Sequence, residues 1–385
     1  MSSEKPRRIR VIDLTMHLSG PYCCWLLSTL GAEVIKVERT DGGDPVRETG
    51  PFVVDQSTYF GSVNRNKRSI ALDLKSPQGK LAFAELLKTA DVLVENFRAG
   101  VLARLGFDET RIKELNPNLI LASITGFGQA GEWARRPAFD IVVQGMSGMM
   151  SVTGQPGGRP TAVGASIADL SAGVFCALAV QSALLQRERT GEARRVDISM
   201  LDCQLALLEN AAARYLNTGE HPVPTGSRHP RYTPFQAYET ADKPVVIAAD
   251  GQKNWEAFCR TVGLESLITD PRFENNEVRV EHYDELEGII SAEIRKWKSA
   301  DLLKAMAEAD VPCGPINSVP DILESNYVKE RGSISTVTRG GLVMRYVASP
   351  VSPRPFQESA APQLGEHTDE ILEELGLKSR EPTDA

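Results

Sequence analysis

Strand-like and helix-like segments alternate repeatedly in the first half of the chain, and few folds accommodate such an alternation. Short apolar runs predict five strands, at residues 11–14, 33–38, 70–74, 91–95 and 119–124. Ser19-Gly20-Pro21 starts a helix that ends at Gly31, and Ser76-Pro77 starts another that runs to about residue 89. Because helices of this length connect parallel strands, we predict an α/β fold whose parallel sheet is covered by helices on both faces.

The second half of the chain has a different organisation. It begins with two predicted long helices, at residues 169–191 and 201–216, on either side of a strand at 195–199. Proline-rich residues 221–226 predict a linker, and a strand at 245–249 with helices at 254–262 and 283–297 predicts a smaller unit. A second breaker cluster lies at 311–315. The tail, with Pro350, Pro353 and Pro355, is predicted to be extended up to a last helix near residues 368–375.

The composition excludes several classes of protein. The 385 residues exceed one ordinary core and suggest two or three domains. With 42% hydrophobic and 24% charged residues, the chain is typical of soluble globular proteins, and its net charge of -8 predicts no general nucleic-acid-binding surface. The longest apolar stretch, residues 174–185, is interrupted by Gln181 and Ser182 and predicts no membrane span. The polar amino end lacks a signal-peptide core, so we expect a cytoplasmic protein.

The cysteines and histidines predict no metal site. The six cysteines are scattered without zinc-ligand spacing, and the five histidines show no i, i+4 pair. In a cytosolic chain of this size we expect the cysteines to be buried thiols without disulfide bonds.

A ligand site is expected at the carboxyl edge of the predicted sheet, where open α/β sheets bind their ligands. The turn at residues 15–20 is not a GxGxxG loop, so an NAD-dependent dehydrogenase is disfavoured. Arg39 follows the second predicted strand and Arg98 follows the fourth, so both could face one cleft and bind phosphates. The alternative is that these arginines form a solvated rim.

Asp169 precedes a long apolar helix, in Ala168-Asp169-Leu170. It has two interpretations. As a helix cap, it would only satisfy backbone donors. As a nucleophile, its carboxylate would be favoured by the helix amino terminus and made more reactive by partial desolvation. The local sequence does not separate the two.

Taken together, the motifs of this chain resemble the class III CoA-transferase family, which includes formyl-CoA transferase and carnitine CoA-transferase. The resemblance extends over nearly the whole chain, and the motifs follow the order found in the family. They include Asp13-Leu14-Thr15, Ser19-Gly20-Pro21, residues 31–38, Asn66-Lys67-Arg68-Ser69-Ile70, Glu95-Asn96-Phe97-Arg98, residues 123–128, Pro137-Ala138-Phe139-Asp140, Ala168-Asp169-Leu170, residues 196–202 and Arg228-His229-Pro230.

The resemblance implies a catalytic role for Asp169. It would attack a donor acyl-CoA thioester and carry an anhydride and then an aspartyl-CoA thioester, which a carboxylic acid acceptor attacks. Coenzyme A and acyl-CoA are implied as substrates, with no permanently bound cofactor and no metal. Binding positions of the family correspond to Leu18, Ser19, Arg39, Asn66, Lys67, Arg68, Asn96, Phe97, Arg98, Arg104, Ala138, Phe139 and Asp140.

The resemblance also implies a domain plan and an assembly. A Rossmann-like large domain would combine residues 1–200 with the tail at 316–385, and a linker at 201–226 would lead to an inserted small α+β domain at 227–315. Two chains would interlock in a homodimer. No nucleic acid or membrane partner is implied.

Departures from the family pattern limit the choice of substrate. Formyl-CoA transferase has glutamine at the position of Leu18 and a glycine-rich flap where this chain has Asp250-Gly251-Gln252, which disfavours formyl or oxalyl chemistry. The related α-methylacyl-CoA racemase needs a histidine where Phe139 precedes Asp140, so a racemase is the weaker alternative. A hydrolase and a non-catalytic CoA-binding protein also remain open. A dicarboxylate acceptor with succinyl-CoA as donor is a further hypothesis, with Arg47 as the candidate partner of the second carboxylate.

Overall fold

The computed structural model describes residues 8–351 and 358–377. It divides into two compact units. The large unit contains the described residues up to Met150, Ala162–Glu220 and those from Val328 onward, and the small unit contains Ser151–Thr161 and His221–Tyr327. Residues 201–220 therefore belong to the large unit, whereas the sequence analysis placed them in a linker. The predicted residues Pro353 and Pro355 lie outside the described part of the chain.

The large unit is built on a parallel sheet, as predicted. In the described residues its six strands are β1 (Arg10–Leu14), β2 (Glu33–Glu38), β3 (Lys67–Ala71), β4 (Val92–Glu95), β5 (Ile120–Thr125) and β6 (Val196–Ser199). Their order across the sheet is β3-β2-β1-β4-β5-β6, and each neighbouring pair is parallel. The order reverses between β1 and β4, which leaves a crevice at their carboxyl ends.

Helices cover both faces of this sheet. The helices named below are α1 (Ser19–Thr29), α2 (Pro77–Thr89), α3 (Asp140–Met146) and α4 (Ile167–Thr190). The other helices of the large unit are Thr58–Asn64, Val101–Arg104, Glu109–Leu115, Met200–Leu207, Glu209–Thr218 and Thr368–Glu374, with a 3-10 turn at Pro45–Glu48 and short strands at Phe52–Val53 and Gln56–Ser57. The helix Met149–Val152 crosses the boundary between the two units.

Alternate residues of the strands enter two separate cores. Val11 packs in a core with α1 and α4, whereas its neighbour Ile12 packs on the opposite face against α2. The same alternation occurs at Val92 and Leu93 in β4. Because side chains of a strand point to opposite faces in turn, apolar residues at consecutive positions require cover on both faces. This explains why the strands are nearly uninterrupted apolar runs.

Three elements differ from the sequence-based prediction. Strand β3 begins at Lys67, three residues earlier than predicted, and the helix predicted at 201–216 is divided at Leu208 into two. The tail, predicted to be extended, contains a hairpin of Ile334–Arg339 and Leu342–Val347. Gly340 and Gly341 form its turn with positive φ angles of 53° and 83°. A Gly-Gly pair between two strand-like runs is a known hairpin signal, and the sequence analysis missed it.

Helices α1 and α4 approach each other closely near the site described below. A Cβ atom at Gly173 would lie 2.8 Å from the carbonyl oxygen of Ser19 and 3.0 Å from Tyr22 Cδ1. At Gly20, a Cβ would lie 2.4 Å from the Thr15 side chain. Gly173 therefore allows the first turn of α1 to lie against α4, and Gly20 allows the same turn to lie against Thr15.

The small unit has its own core. Its antiparallel sheet is formed by β7 (Phe235–Tyr238), β8 (Val245–Ala248) and β9 (Cys313–Pro315), in the order β9-β8-β7. The helices Gly251–Val262, Asn276–Glu281, Tyr283–Ile294, Ser299–Glu308 and Val319–Glu324 belong to this unit, with a 3-10 turn at Glu265–Thr269, and Asn326–Glu330 crosses its boundary with the large unit. Trp255, Phe258 and Phe273 are fully buried. The unit is α+β, as expected.

One described helix, α4, has the length and apolar composition of a membrane span. It has 24 residues and extends beyond the apolar stretch considered in the sequence analysis. Half of its most apolar window is buried inside the protein, as in a core helix of a soluble protein. The helix is therefore weak evidence for a membrane span.

We expect Gly173→Ala to destabilise the large unit by about 1–3 kcal/mol, because the new methyl group would overlap a backbone oxygen that cannot move alone. Gly145→Ala is the matched control, since that helical glycine of the same unit has only Met150 Sδ within 4 Å, at 3.9 Å. The control should change stability by less than about 1 kcal/mol. Denaturant unfolding followed by circular dichroism measures both variants. Equal stability of the two would contradict the close approach of α1 and α4.

Candidate active site

Four buried charged side chains lie beneath the turn that joins β1 to α1. We call Asp13, Lys36, Asp44 and Lys67 the ion cluster; each is at most 3% exposed. Lys67 Nζ lies 2.8 Å from Asp13 Oδ2, and Lys36 Nζ lies 2.9 Å from Asp44 Oδ2. Burial alone would raise the pKa of Asp13, but Lys36 and Lys67 outweigh it and lower that pKa to about 2. Asp13 is therefore ionised, and each aspartate of the cluster lies against a lysine of opposite charge.

The ion cluster fixes the backbone of this turn. Lys36 Nζ donates to the Thr15 carbonyl at 2.8 Å, and the Thr15 N–H donates to Asp13 Oδ1 at 3.0 Å. The N–H of His17 donates to Asp44 Oδ1 at 3.2 Å. His17 has a φ of 65°, in the left-handed region that residues other than glycine seldom adopt. The turn thus enters α1 in one defined conformation.

Asn96 connects the loops on the two sides of the crevice. The N–H of Met16 donates to Asn96 Oδ1 at 2.9 Å, and Asn96 Nδ2 donates to the Met16 carbonyl at 2.7 Å. Asn96 follows β4 and Met16 follows β1, so this pair of hydrogen bonds spans the point where the strand order reverses. The side-chain amide is thereby occupied by protein groups, which indicates a positioning role.

A cleft of about 480 Å³ opens at the carboxyl edge of the sheet. Arg39, Lys75 and Phe97 line it, together with residues 14–16, 37–38, 40–41, 43–44, 72–74, 101 and 105. Arg39 and Phe97 were candidates from the sequence, and Lys75 was missed. Arg98 and Arg104 are exposed on the neighbouring segment but do not line the cleft. The structure brings Arg39 together with Phe97, and not with Arg98.

Asn66, Lys67 and Arg68 lie at the amino end of β3, and none of them lines the cleft. Lys67 is fully engaged, since its ammonium group contacts Asp13, the Pro21 carbonyl and Asn64 Oδ1. Arg68 pairs with Glu33, Glu370 and Glu374. Asn66 Oδ1 accepts from the N–H of Ser359 at 2.7 Å.

The structure therefore does not place this group, inferred from resemblance to bind CoA, at the cleft. The three side chains are held by protein partners because the start of β3 needs its charges balanced.

Arg47 is also engaged by the protein. Its guanidinium forms two hydrogen bonds of 2.7 Å with Glu38 and further bonds with the Pro362 carbonyl. It lies over the Phe60 ring, 3.7 Å from the centroid. The hypothesis of a free Arg47 that binds a second carboxylate is therefore wrong, because Glu38 already supplies that carboxylate.

Asp169 lies in the first turn of α4 but does not cap it. The capping carboxylate is supplied by Asp140, the first residue of α3. Its Oδ1 accepts from the N–H groups of Ala168 at 2.7 Å and Asp169 at 3.2 Å, and its Oδ2 accepts from Gln144 Nε2 at 2.6 Å. The Asp169 carboxyl is therefore free for a role other than capping.

The surroundings of Asp169 make its carboxyl more basic than usual. Burial is the main cause, the negative charge of Asp140 adds to it, and a hydrogen bond from Ser19 opposes it, so the pKa is raised to about 6. Of the two effects named in the sequence analysis, partial desolvation is the one that raises this pKa. At neutral pH the group is still mostly ionised, as a partly desolvated carboxylate of raised basicity.

Four further candidates from the sequence lie on the segments that lead into α1 and α3. Leu18 and Ser19 are buried at the start of α1, and Ala138 is half-buried, with its Cβ 2.3 Å from where a Cβ at Gly126 would lie. Phe139 is 66% exposed and meets the His17 ring edge to face, with centroids 5.9 Å apart.

Sequence reasoning missed the contributions of His17, Asp44 and Tyr59. Burial raises the pKa of the Tyr59 phenol, and the charges of Asp169, Asp44 and Asp140 raise it further. The phenol therefore faces the same carboxylates. The only sequence signal was for His17, the single imidazole in the turn after β1.

Within residues 8–351 and 358–377, no three His, Cys, Asp or Glu side chains are grouped so that they could hold a metal ion. The six cysteines are unpaired thiols, five of them buried and Cys313 half-buried.

We expect Asp169→Asn to stabilise the protein by roughly 1–3 kcal/mol at pH 7.5. The raised pKa means that the folded state holds this proton more tightly than the unfolded state, so charging Asp169 costs stability as the pH rises from about 4 to about 6. The advantage of the variant should vanish below pH 4. Urea unfolding at several pH values measures it, with the exposed first-turn Asp369→Asn as a control. A stability difference independent of pH would contradict the raised pKa.

Comparison with known proteins identifies the family of this chain. The family model described as CoA-transferase family III matches residues 7–368. The succinate–glutarate CoA-transferase of Agrobacterium fabrum is 39% identical and covers 100% of this chain and 99% of its own length. The acetyl-CoA:oxalate CoA-transferase of Acetobacter aceti is 41% identical, with 92% of each chain covered.

Solved structures give the same result. A CAIB/BAIF family protein from Brucella suis superimposes with a TM-score of 0.83 at 36% identity, covering 95% of this chain and 98% of its own. A protein from Mycobacterium tuberculosis gives a TM-score of 0.84 at 30% identity, covering 95% and 99%. These matches extend over both units of the chain. This chain therefore belongs to CoA-transferase family III and is a CoA-transferase.

Proposed function

We propose that this enzyme moves CoA from an acyl-CoA donor, of which succinyl-CoA is the best candidate, to a small dicarboxylic acid, with Asp169 as the nucleophile. The observation that carries the proposal is the state of the Asp169 carboxyl. It is not used as a helix cap, it is largely buried, and its pKa is raised to about 6. A carboxylate in this state is a stronger nucleophile than one in water and is mostly ionised at neutral pH.

The reaction runs in four exchanges at this carboxyl. The Asp169 carboxylate attacks the thioester carbonyl, the C–S bond breaks, and CoA leaves as a thiolate from a mixed anhydride. The thiolate then attacks the aspartyl carbonyl of the anhydride, which releases the donor carboxylate and forms an aspartyl-CoA thioester. The acceptor carboxylate attacks this thioester, giving a second anhydride and free thiolate. Attack of the thiolate on the acceptor acyl carbonyl forms the new acyl-CoA and restores Asp169.

Neighbouring groups support these steps in different ways. Ser19 donates a hydrogen bond to the Asp169 carboxyl and orients it. Asp140, anchored by Gln144, holds the first turn of α4 in place. Burial around Asp169 also limits the access of water, which would hydrolyse an anhydride. The roles of Ser19 and Asp140 are therefore positioning and electrostatic.

The cleft at the carboxyl edge fits the nucleotide end of CoA. Arg39 is largely exposed there and bonds only to Asp41 among the described residues, so its guanidinium can reach a phosphate. Lys75 and Phe97 line the same cleft and supply a second cation and an aromatic surface. Arg98 and Arg104 extend the positive charge along the next segment.

The names of relatives support the choice of acid. Besides those above, a succinyl-CoA:mesaconate CoA-transferase of Haloarcula marismortui is 38% identical, with 96% of each chain covered. Succinate, glutarate, mesaconate and oxalate are all dicarboxylates. Leu18, which replaces the glutamine of formyl-CoA transferase, favours the longer, partly apolar members of this group.

The alternative of a racemase has less support. Phe139 occupies the position before Asp140 where that reaction needs a base, and it has no ionisable group. Incubating a 2-methylacyl-CoA in deuterated water tests this alternative. Appearance of deuterium at the α-carbon would favour it over CoA transfer.

We expect Asp169→Ala to lower the rate of CoA exchange by at least 10³-fold, because every step passes through this carboxyl. Mass spectrometry of the wild-type enzyme quenched with hydroxylamine should find the modification at Asp169 only. Asp369→Ala, an exposed first-turn acid in the same unit, is the control and should keep its activity. Unimpaired exchange by the Asp169 variant would contradict the mechanism.

We also propose that the enzyme is a cytoplasmic homodimer. Val174, Leu178 and Leu185 form a stripe on α4 and are 47%, 65% and 50% exposed. Their spacing places them on one helix face, which Gln181 and Ser182 interrupt, and an exposed, mainly apolar face of this kind fits the surface of a second copy.

Light scattering should therefore give about twice the chain mass of 42.0 kDa. Leu178→Glu should lower the mass towards one chain or prevent assembly, because a charge would be buried in the interface. Lys88→Glu, on the exposed side of α2, is the control. A wild-type mass of one chain would contradict the dimer.

A further inference from the structure

The side chain of His17 has no role in the chemistry described so far, although its ring packs on Phe139, the residue that precedes Asp140. We propose that His17 binds the second carboxylate of the acceptor acid and so determines that the enzyme prefers dicarboxylates. This inference rests on the proposed function and assigns to that same site its specificity-determining residue.

The backbone of His17 is held in an unfavourable conformation. Its φ of 65° costs free energy for a residue other than glycine, and such conformations persist only where the surrounding structure imposes them. Here Asp44 Oδ1 accepts a hydrogen bond from the His17 N–H, and Lys36 forms an ion pair with Asp44 Oδ2. The ion cluster thus fixes the direction in which the imidazole leaves the chain.

His17 belongs to one of the two segments that form the site and contacts the other. Its own segment continues to Ser19, which donates a hydrogen bond to Asp169. Its ring packs edge to face on Phe139, which precedes Asp140. The imidazole is exposed, and its ring nitrogens form no hydrogen bond with any residue that the structure describes. It is therefore available to a ligand.

The charges around the site explain why an imidazole is needed. The carboxylates of Asp44, Asp140 and Asp169 all act on Tyr59. Asp44 is paired with Lys36, but Asp140 and Asp169 have no lysine or arginine partner among the described residues, so the region is negative. A second carboxylate of a substrate needs a positive partner there. Within the described chain, no lysine or arginine contributes to the pKa of Asp169, Arg47 is bound by Glu38, and Lys36 is fully buried.

His17 can provide that partner. A protonated imidazole carries a positive charge and two N–H donors, and a neutral one still donates one hydrogen bond. With one end of the acid at the Asp169 carboxyl and the other at His17, a dicarboxylate is held at two points. A monocarboxylate of the same length is held at one.

The experiment compares two acceptors that differ only in the second carboxylate. Glutarate and valerate are each assayed with succinyl-CoA as donor, and the selectivity is the ratio of their kcat/KM values. His17→Asn removes the imidazole and is suited to a left-handed backbone. We expect the glutarate-to-valerate ratio to fall about 10- to 100-fold, chiefly through a higher KM for glutarate.

Two further variants complete the test. His17→Gly also lacks the imidazole and relieves the backbone strain. It should therefore show the same fall in the glutarate-to-valerate ratio. It replaces the Asn variant in the test if that variant folds poorly. His367→Asn removes a histidine that accepts a hydrogen bond from Ser69 in β3 and should keep the ratio within about twofold.

An unchanged ratio in both His17 variants, or an equal loss with both acids, would overturn the inference while leaving CoA transfer intact. Absence of CoA transfer from succinyl-CoA or acetyl-CoA to any acid by the wild-type enzyme would contradict the proposed function instead. The two failures are therefore distinguishable.

Discussion

The balanced charges of the ion cluster are the condition on which the geometry of the site depends. Two lysines and two aspartates are buried at the centre of the large unit, and removing any one would leave an unpaired charge out of water. The same side chains bind the backbone of the turn after β1 at Thr15 and His17. The cost of burying four charges is thus offset by partners that also define the start of α1. Ser19 reaches Asp169 because this start is fixed.

The electrostatics of the site depend on the different hydrogen-bonding partners of Asp140 and Asp169. Asp140 takes the hydrogen-bonding role that the first turn of α4 requires, which leaves Asp169 without a backbone partner for its carboxyl. Its charge also lies close enough to Asp169 to raise the pKa of that carboxyl. Burial and this like charge together make the carboxylate less favourable than it would be in water. The result is an ionised carboxylate of raised basicity in a partly dry environment.

The two edges of the parallel sheet carry residues with different roles. Loops at the carboxyl edge, after β1, β2 and β4, supply Met16, Arg39 and Phe97 to one cleft. Charged residues at the amino edge, such as Arg68 and Glu33, pair with one another and with the last helix. Basic residues at both edges look alike in the sequence, although those at the amino edge are already neutralised.

The sequence by itself determined the α/β class, the positions of the sheet strands and the family, because apolar periodicity and turn residues act locally and the motifs occur in order along the chain. It also singled out Asp169 and Asp140. Only the tertiary structure decided that Asp140 caps the helix of Asp169, that Lys67 and Arg47 are engaged by Asp13 and Glu38, and that His17 meets Phe139. These contacts join residues 9 to 122 positions apart, and the charge balance and burial that set them arise only once the chain has folded.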